Sequence, residues 1–153
     1  MNRKYLYLVS LLVFNCATVF AADIDPVGRI KTVSGSAFVH RGTDKFTVKL
    51  GMKIARSDTV YTGKQSSVGI VFDDNSTLAL GSDTKFELSR YEFNVLEKKA
   101  GFVGRISRGS MVFLSGLIAK MNADATRFET PAAVAGVRGT KLAIKVDGGG
   151  ENE

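Results

Sequence analysis

The chain has 153 residues, 44% apolar and 24% charged, with 16 Gly, 2 Pro, 1 Cys, 1 His and no Trp. That is one domain's worth of chain with a core-forming composition, and a single Cys with a single His excludes a disulfide framework and a Cys/His metal site. The formal net charge of +6, from 21 basic and 15 acidic residues, makes the placement of that charge the first question.

Part of the charge sits in the amino-terminal segment. Arg3 and Lys4 precede an apolar run from Tyr5 to Phe14 broken only by Ser10, and Val19-Phe20-Ala21 carries acceptable residues at −3 and −1 of a cleavage site. This pattern predicts a secretory signal peptide over residues 1–21, too short to span a bilayer as an anchor. Val13-Phe14-Asn15 lacks the small residue wanted before a lipidated Cys, so Cys16 reads as a thiol lost with the signal. The expected organisation is a signal peptide (1–21), one β domain (22–147) and a flexible tail (148–153), with the mature chain in the periplasm.

From residue 24 onward, short alternating segments separated by turn residues predict an all-β domain. Ile30 to Val33 and Ala37 to Val39 form two strands joined at Gly35. Between Lys45 and Ile54, Phe46, Val48, Leu50, Met52 and Ile54 occupy every even position, which predicts one strand with a core face and a solvent face carrying Lys45, Thr47, Lys49 and Lys53. Gly51 marks a bend or bulge within it. Val68, Ile70 and Phe72, the turn Asp73-Asp74-Asn75-Ser76 and the return Thr77 to Leu80 form the clearest hairpin.

Phe86 to Val95 alternates next, and Phe102 to Ile106 and Met111 to Leu114 are expected as two strands split at Arg108-Gly109. Leu117, Ile118 and Met121 have the spacing of one helical turn before Asn122. Arg127 to Thr130 is a short strand ended by Pro131, Ala132 to Gly136 is small and apolar, and Lys141 to Val146 is the last strand. A weak internal echo links Gly28-Arg29-Ile30 followed by Gly35-Ser36 with Gly104-Arg105-Ile106 followed by Gly109-Ser110.

The run Thr130-Pro131-Ala132-Ala133-Val134-Ala135-Gly136-Val137-Arg138-Gly139-Thr140 resembles the signature near the end of the FecR domain family. Further blocks extend the likeness over most of the mature chain: Gly28-Arg29-Ile30 with Val33-Ser34-Gly35, Asp58 to Gly63, Phe72 to Gly81, and Ser115 to Lys120. The resemblance implies an all-β periplasmic domain, a jelly-roll-like β-sandwich of short antiparallel strands, of the kind found in regulators of iron-transport signalling. Signalling members carry a cytoplasmic segment and a transmembrane helix before the domain. Here a cleavable signal is expected instead, so no direct sigma-factor contact is carried over.

No catalytic set emerges from the residues. His40 reads as an exposed side chain at a strand end, and Asp73 with Asp74 reads as a turn rather than an acid/base pair. The same turn lacks the Gly and distal Glu of a calcium loop. The stretch Gly136, Arg138, Gly139 and Thr140 lacks the ending of a nucleotide loop. It is expected as a structural turn, the glycines supplying special backbone angles and Arg138 bracing it through a carboxylate or carbonyl. Lys45, Lys49 and Lys53 are the candidate partner-binding basic face. No aromatic residues interleave there as nucleic-acid stacking requires.

The sequence therefore predicts a non-enzymatic binding or sensing module without a cofactor. Its expected partner is an envelope protein or an anionic envelope ligand, not nucleic acid. The alternative is an envelope scaffold acting through self-association, as a homo-oligomer, or through strand addition.

Overall fold

The computed structural model describes residues 24–138 and 140–147; the expected signal peptide, Gly139 and the tail lie outside these. The elements are β1 (Pro26–Ser34), β2 (Ala37–Arg41), β3 (Asp44–Thr47), β4 (Lys53–Ala55), β5 (Thr59–Thr62), β6 (Ser67–Phe72), β7 (Thr77–Leu80), β8 (Lys85–Asn94), β9 (Lys99–Leu114), α1 (Leu117–Met121), β10 (Thr126–Glu129), β11 (Val134–Gly136) and β12 (Lys141–Val146). The all-β expectation holds, with one short helical turn where it was expected.

Consecutive strands pair as though they were halves of longer ones. β2 pairs with β5 while β1 pairs with β6, and β8 and β7 both run antiparallel to β9. The result is one largely antiparallel sheet folded along a crease, with β9 contributing to both leaves and the pairs β1–β2, β5–β6 and β7–β8 each placing one strand in either leaf. The first leaf has the order β4-β1-β6-β7-β9-β12, using the end of β9; the second has β3-β2-β5-β8-β9-β10-β11, using its beginning. The only parallel pairing among the described strands joins β10 to β9.

Alternation does the rest. β6 and β7 bury every second residue, as a sheet covered on one face requires. Phe72, Phe113, Ile30, Ile70, Leu78 and Leu80 from the first leaf meet Phe86, Leu88, Phe102, Ile106 and Phe128 from the second, all at 2% exposure or less. Ring contacts cross between the leaves: Phe72 to Phe102 at 5.0 Å in an edge arrangement, and Phe113 to Phe128 at 4.9 Å. Such pairs add roughly 0.5–1.5 kcal/mol each beyond their burial.

The crease is built from Gly, Ser and Thr. Gly35 and Gly109 both have positive φ, 73° and 92°, and a Cβ at Gly109 would collide with the backbone of Thr84. Each is followed by a serine whose backbone N–H donates to a side-chain oxygen of the residue just before a neighbouring strand: Ser36 to Ser66 Oγ before β6 (2.9 Å) and Ser110 to Thr84 Oγ1 before β8 (3.0 Å). The internal echo in the sequence thus marks two equivalent crease positions. It also corrects the expected break at Arg108-Gly109, because β9 passes through Gly109 as one bent strand.

The opposite, open side is closed by two buried carboxylates. Asp58 lies in the three-residue passage from β4 in one leaf to β5 in the other. It accepts from Arg41 Nε (2.8 Å), Arg41 Nη2 (2.7 Å) and the Ala55 N–H (2.8 Å). Its hydrogen bond holds the Arg41 guanidinium above its usual pKa. Asp74, in the β6–β7 turn, accepts from Ser76 Oγ (2.6 Å), the Ser76 N–H (3.2 Å), the Ile118 N–H of α1 (3.2 Å) and Tyr91 Oη of β8 (3.3 Å). Burial first, then the Asp74 charge, push the Tyr91 phenol well above the ordinary tyrosine range.

The single strand expected from Lys45 to Ile54 is instead two, β3 in one leaf and β4 in the other, separated where this edge crosses the crease. Gly51 takes φ of 78° there, and its N–H bonds to Ile30 O (2.9 Å). Val48 and Ile54 are buried, but Phe46 and Leu50 are 40% and 71% exposed, so the even positions do not form one core face.

Candidate functional site

The leaves share a core but differ on their outer faces. In the first leaf, the register places Lys53 beside Arg29, Arg29 beside Val71, Val71 beside Thr77, Thr77 beside Leu114 and Leu114 beside Lys141. Because directly opposed residues share a face, these six form one row across the leaf. The next row is Thr32, Gly69, Ala79, Val112 and Ala143, and Ser110 opposite Lys145 extends a third. Arg29, Lys31, Lys53, Lys141 and Lys145 are all exposed.

No strand residue of this leaf is a carboxylate. Acidic side chains flank it only in connections, as with Asp73 in the β6–β7 turn and Asp147 after β12, the latter 3.2 Å from Lys145. The face therefore has cations along both flanks and small or apolar residues between them. Five strand spacings from β4 to β12 give it a width of about 24 Å.

The second leaf runs Lys45, His40, Thr59, Glu87, Arg105 and Glu129 across its corresponding row. Several of its charges are paired with opposite ones: Arg105 lies 2.8 Å from Glu129 and 3.9 Å from Glu87, and Arg90 lies 2.7 Å from Glu92. The Arg90 hydrogen bond holds the Glu92 carboxyl below its usual range. Phe38 stacks on Tyr61 at 4.9 Å, with Lys45 Nζ 3.9 Å above the Phe38 ring. His40 is half-buried against Tyr61 at 4.9 Å rather than free at a strand end.

The lysines singled out from the sequence do not share one face. Lys45 lies on the second leaf, Lys49 lies where the edge crosses the crease, and Lys53 lies on the first leaf beside Arg29. Lys45 and Lys49 line an open hollow with Phe46 and Leu50, whereas Lys53 lines another with Arg29. Four cations of the first-leaf face, Arg29, Lys31, Lys141 and Lys145, come from β1 and β12, more than a hundred residues apart. The readable signal for them is the absence of Asp and Glu from every strand of that leaf.

The signature segment forms a wall of a groove. Gly136 pairs with Arg127 in a strand, has no positive φ, and has nothing within 4 Å of its missing Cβ. The special backbone angle expected of Gly136 is therefore absent. Arg138 donates to Asp124 Oδ1 from Nε (3.1 Å) and Nη2 (2.8 Å), and Thr140 O accepts from the Ser115 N–H (3.0 Å). Gly139 lies outside the described residues. Between the turn at Pro131 to Ala133 and β12 runs an open groove of about 710 Å³, floored by Leu142, Ile144 and Val146.

Asp74 is not a free turn carboxylate, and the four hydrogen bonds it accepts leave it positioned for structure rather than proton transfer. Among the described residues no group of three or more His, Asp or Glu converges as metal ligands would, and no helix is long and apolar enough to cross a membrane.

A family model described as FecR protein matches residues 58–152, beginning at the buried Asp58 and taking in the signature segment. No curated protein and no solved structure matches the chain. The match covers more than half of the chain, which belongs to this family.

Proposed function

We propose, from membership of the FecR family, that this chain is a non-enzymatic binding or sensing module of the cell envelope, acting in the periplasm after export. The family association favours a regulatory or signalling role. The carrying observation is the outer face of the first leaf. An exposed sheet face with cations at both flanks, a small apolar centre and no strand carboxylate complements an anionic partner. Neither buried carboxylate is arranged for acid/base work, since each is saturated with donors from the two leaves it ties together. The partner is an envelope protein with an acidic surface or an anionic envelope ligand.

The test is site-specific photo-crosslinking in intact cells, with the reactive residue at Ala79 in the centre of the cationic face or at Ser89 on the second leaf. A defined partner is expected from Ala79 alone, with capture weakened by salt. Charge reversal at Arg29, Lys31 and Lys53 together is expected to abolish it while leaving the fold intact. Equal capture from both leaves, or capture unaffected by the reversal, would contradict the reading.

A further inference from the structure

The two edges of the folded sheet are unequal. At one edge, β3 and β4 are short, separated by the crease and studded with lysines, which are familiar ways of discouraging strand addition. At the other, β12 is a six-residue strand bound on one side to β9 in an unbroken register and open on the other to the groove.

The hydrogen-bond phase of that open edge can be read from its neighbour. The Ser115 N–H donates to Thr140 O at 3.0 Å, so Thr140 and Ser115 form a hydrogen-bonded pair at the start of the β12–β9 ladder. By the alternation of antiparallel pairing, Leu142, Ile144 and Val146 bond to β9. The N–H and C=O groups of Lys141, Ala143 and Lys145 then point away from β9, into the open edge.

We infer that two copies of this chain pair through β12, antiparallel about a two-fold axis at Ile144. In that register Lys141 faces the partner's Asp147, Leu142 faces the partner's Val146, Ala143 faces the partner's Lys145, and Ile144 faces the partner's Ile144. The two-fold repeats each heterologous pair. Every outward-pointing backbone group from Lys141 to Asp147 meets another outward-pointing group, so the ladder is complete. The half-buried Leu142, Ile144 and Val146 meet their own kind on one face, while Lys141 and Asp147 meet opposite charges on the other.

The register is specified by charge. Moving the axis to Ala143 sets Lys141 against the partner's Lys145, twice. Moving it to Lys145 sets that lysine against its own copy. Like charges directly opposite destabilise a strand pair, and shifts beyond these leave fewer residues in the ladder. A single strand pair is smaller than a standard stable interface, so the dimer is reversible and concentration-dependent. Pairing joins the two first leaves edge to edge into one twelve-stranded sheet and doubles the cationic face, but it needs no anionic partner.

Sedimentation equilibrium of the purified chain from about 1 μM to about 1 mM tests the inference. Reversible dimerisation is expected, and a monomer throughout would overturn it. Lys141→Asp and Asp147→Lys, each creating two like-charge pairs, are expected to weaken the dimer about tenfold or more. The double variant Lys141→Asp/Asp147→Lys is expected to return within about threefold of the unmodified chain. A double variant as weak as the singles would overturn the register.

Ala143→Pro supplies the control for folding. The N–H it removes points to the open edge, and proline is tolerated at such edge positions. The variant is expected to keep the unmodified unfolding midpoint while losing the dimer, and a dimer undiminished by it would overturn the assignment to β12. The Arg29, Lys31 and Lys53 reversal, which tests the anionic partner, is expected to leave dimerisation unchanged, so the two proposals fail separately.

Discussion

The two leaves come from the same long strands and bury the same kind of side chain, yet their outer faces obey different rules. On the second leaf Arg105 sits between Glu87 and Glu129, and Arg90 beside Glu92. On the first leaf Arg29, Lys31 and Lys53 have no strand carboxylate among them. Folding constrains the inward positions of both leaves through close packing and leaves the outward positions free to diverge. What differs outside is therefore the better guide to what the molecule meets.

The largest expected effect breaks the comparison by loosening one leaf from the other. Asp74→Ala leaves the Tyr91 hydroxyl, the Ser76 hydroxyl and the Ile118 N–H without their buried acceptor. At about 1–3 kcal/mol per orphaned group, partly recovered by relaxation, the net loss is expected near 3 kcal/mol. Urea unfolding measures it, and a loss under about 1 kcal/mol would show that the turn does not tie the leaves.

Gly109→Ala acts at the crease instead. The φ of 92° disfavours any side chain, and the new Cβ meets Thr84 backbone. A cost of about 2–3 kcal/mol is expected, read as a lowered denaturant midpoint with an unchanged m-value. An unaltered midpoint would mean that the crease can flatten without penalty.

The smallest effect sharpens the contrast between faces. Arg105→Ala removes an exposed cation with two acidic neighbours and is expected to lower the unfolding midpoint slightly in low salt, an effect that added salt screens. Arg29→Ala removes one whose strand neighbours include Lys53 and no acid, and is expected to be neutral within about 0.5 kcal/mol. Equal costs for the two in low salt would dissolve the electrostatic distinction.

Much of the secondary structure was legible locally. The β6–β7 hairpin, the helical turn at Leu117 and the last strand from Lys141 to Val146 follow from alternation, turn chemistry and spacing. Gly35 and Gly109 announced themselves as an echo, although their shared role at the crease needed the paired strands to be seen. The lysine stripe failed because alternation assumes that a segment keeps one face to the core, and the edge from Lys45 to Lys53 changes leaf midway. Asp74 was read as a turn residue because burial against Tyr91 and α1 is invisible in a four-residue window.

The sequence by itself determined an all-β chain with the motifs of the FecR family, the inward alternation of its strands and, with one Cys and one His, the exclusion of a Cys/His metal site. These depend on residue type and on spacing over a few positions. Tertiary structure alone decided which cations share a face, which carboxylates are buried and which strand is left with an open edge. Those properties arise from pairings between residues as far apart as Arg29 and Lys141, and strand order, unlike side-chain alternation, has no local period.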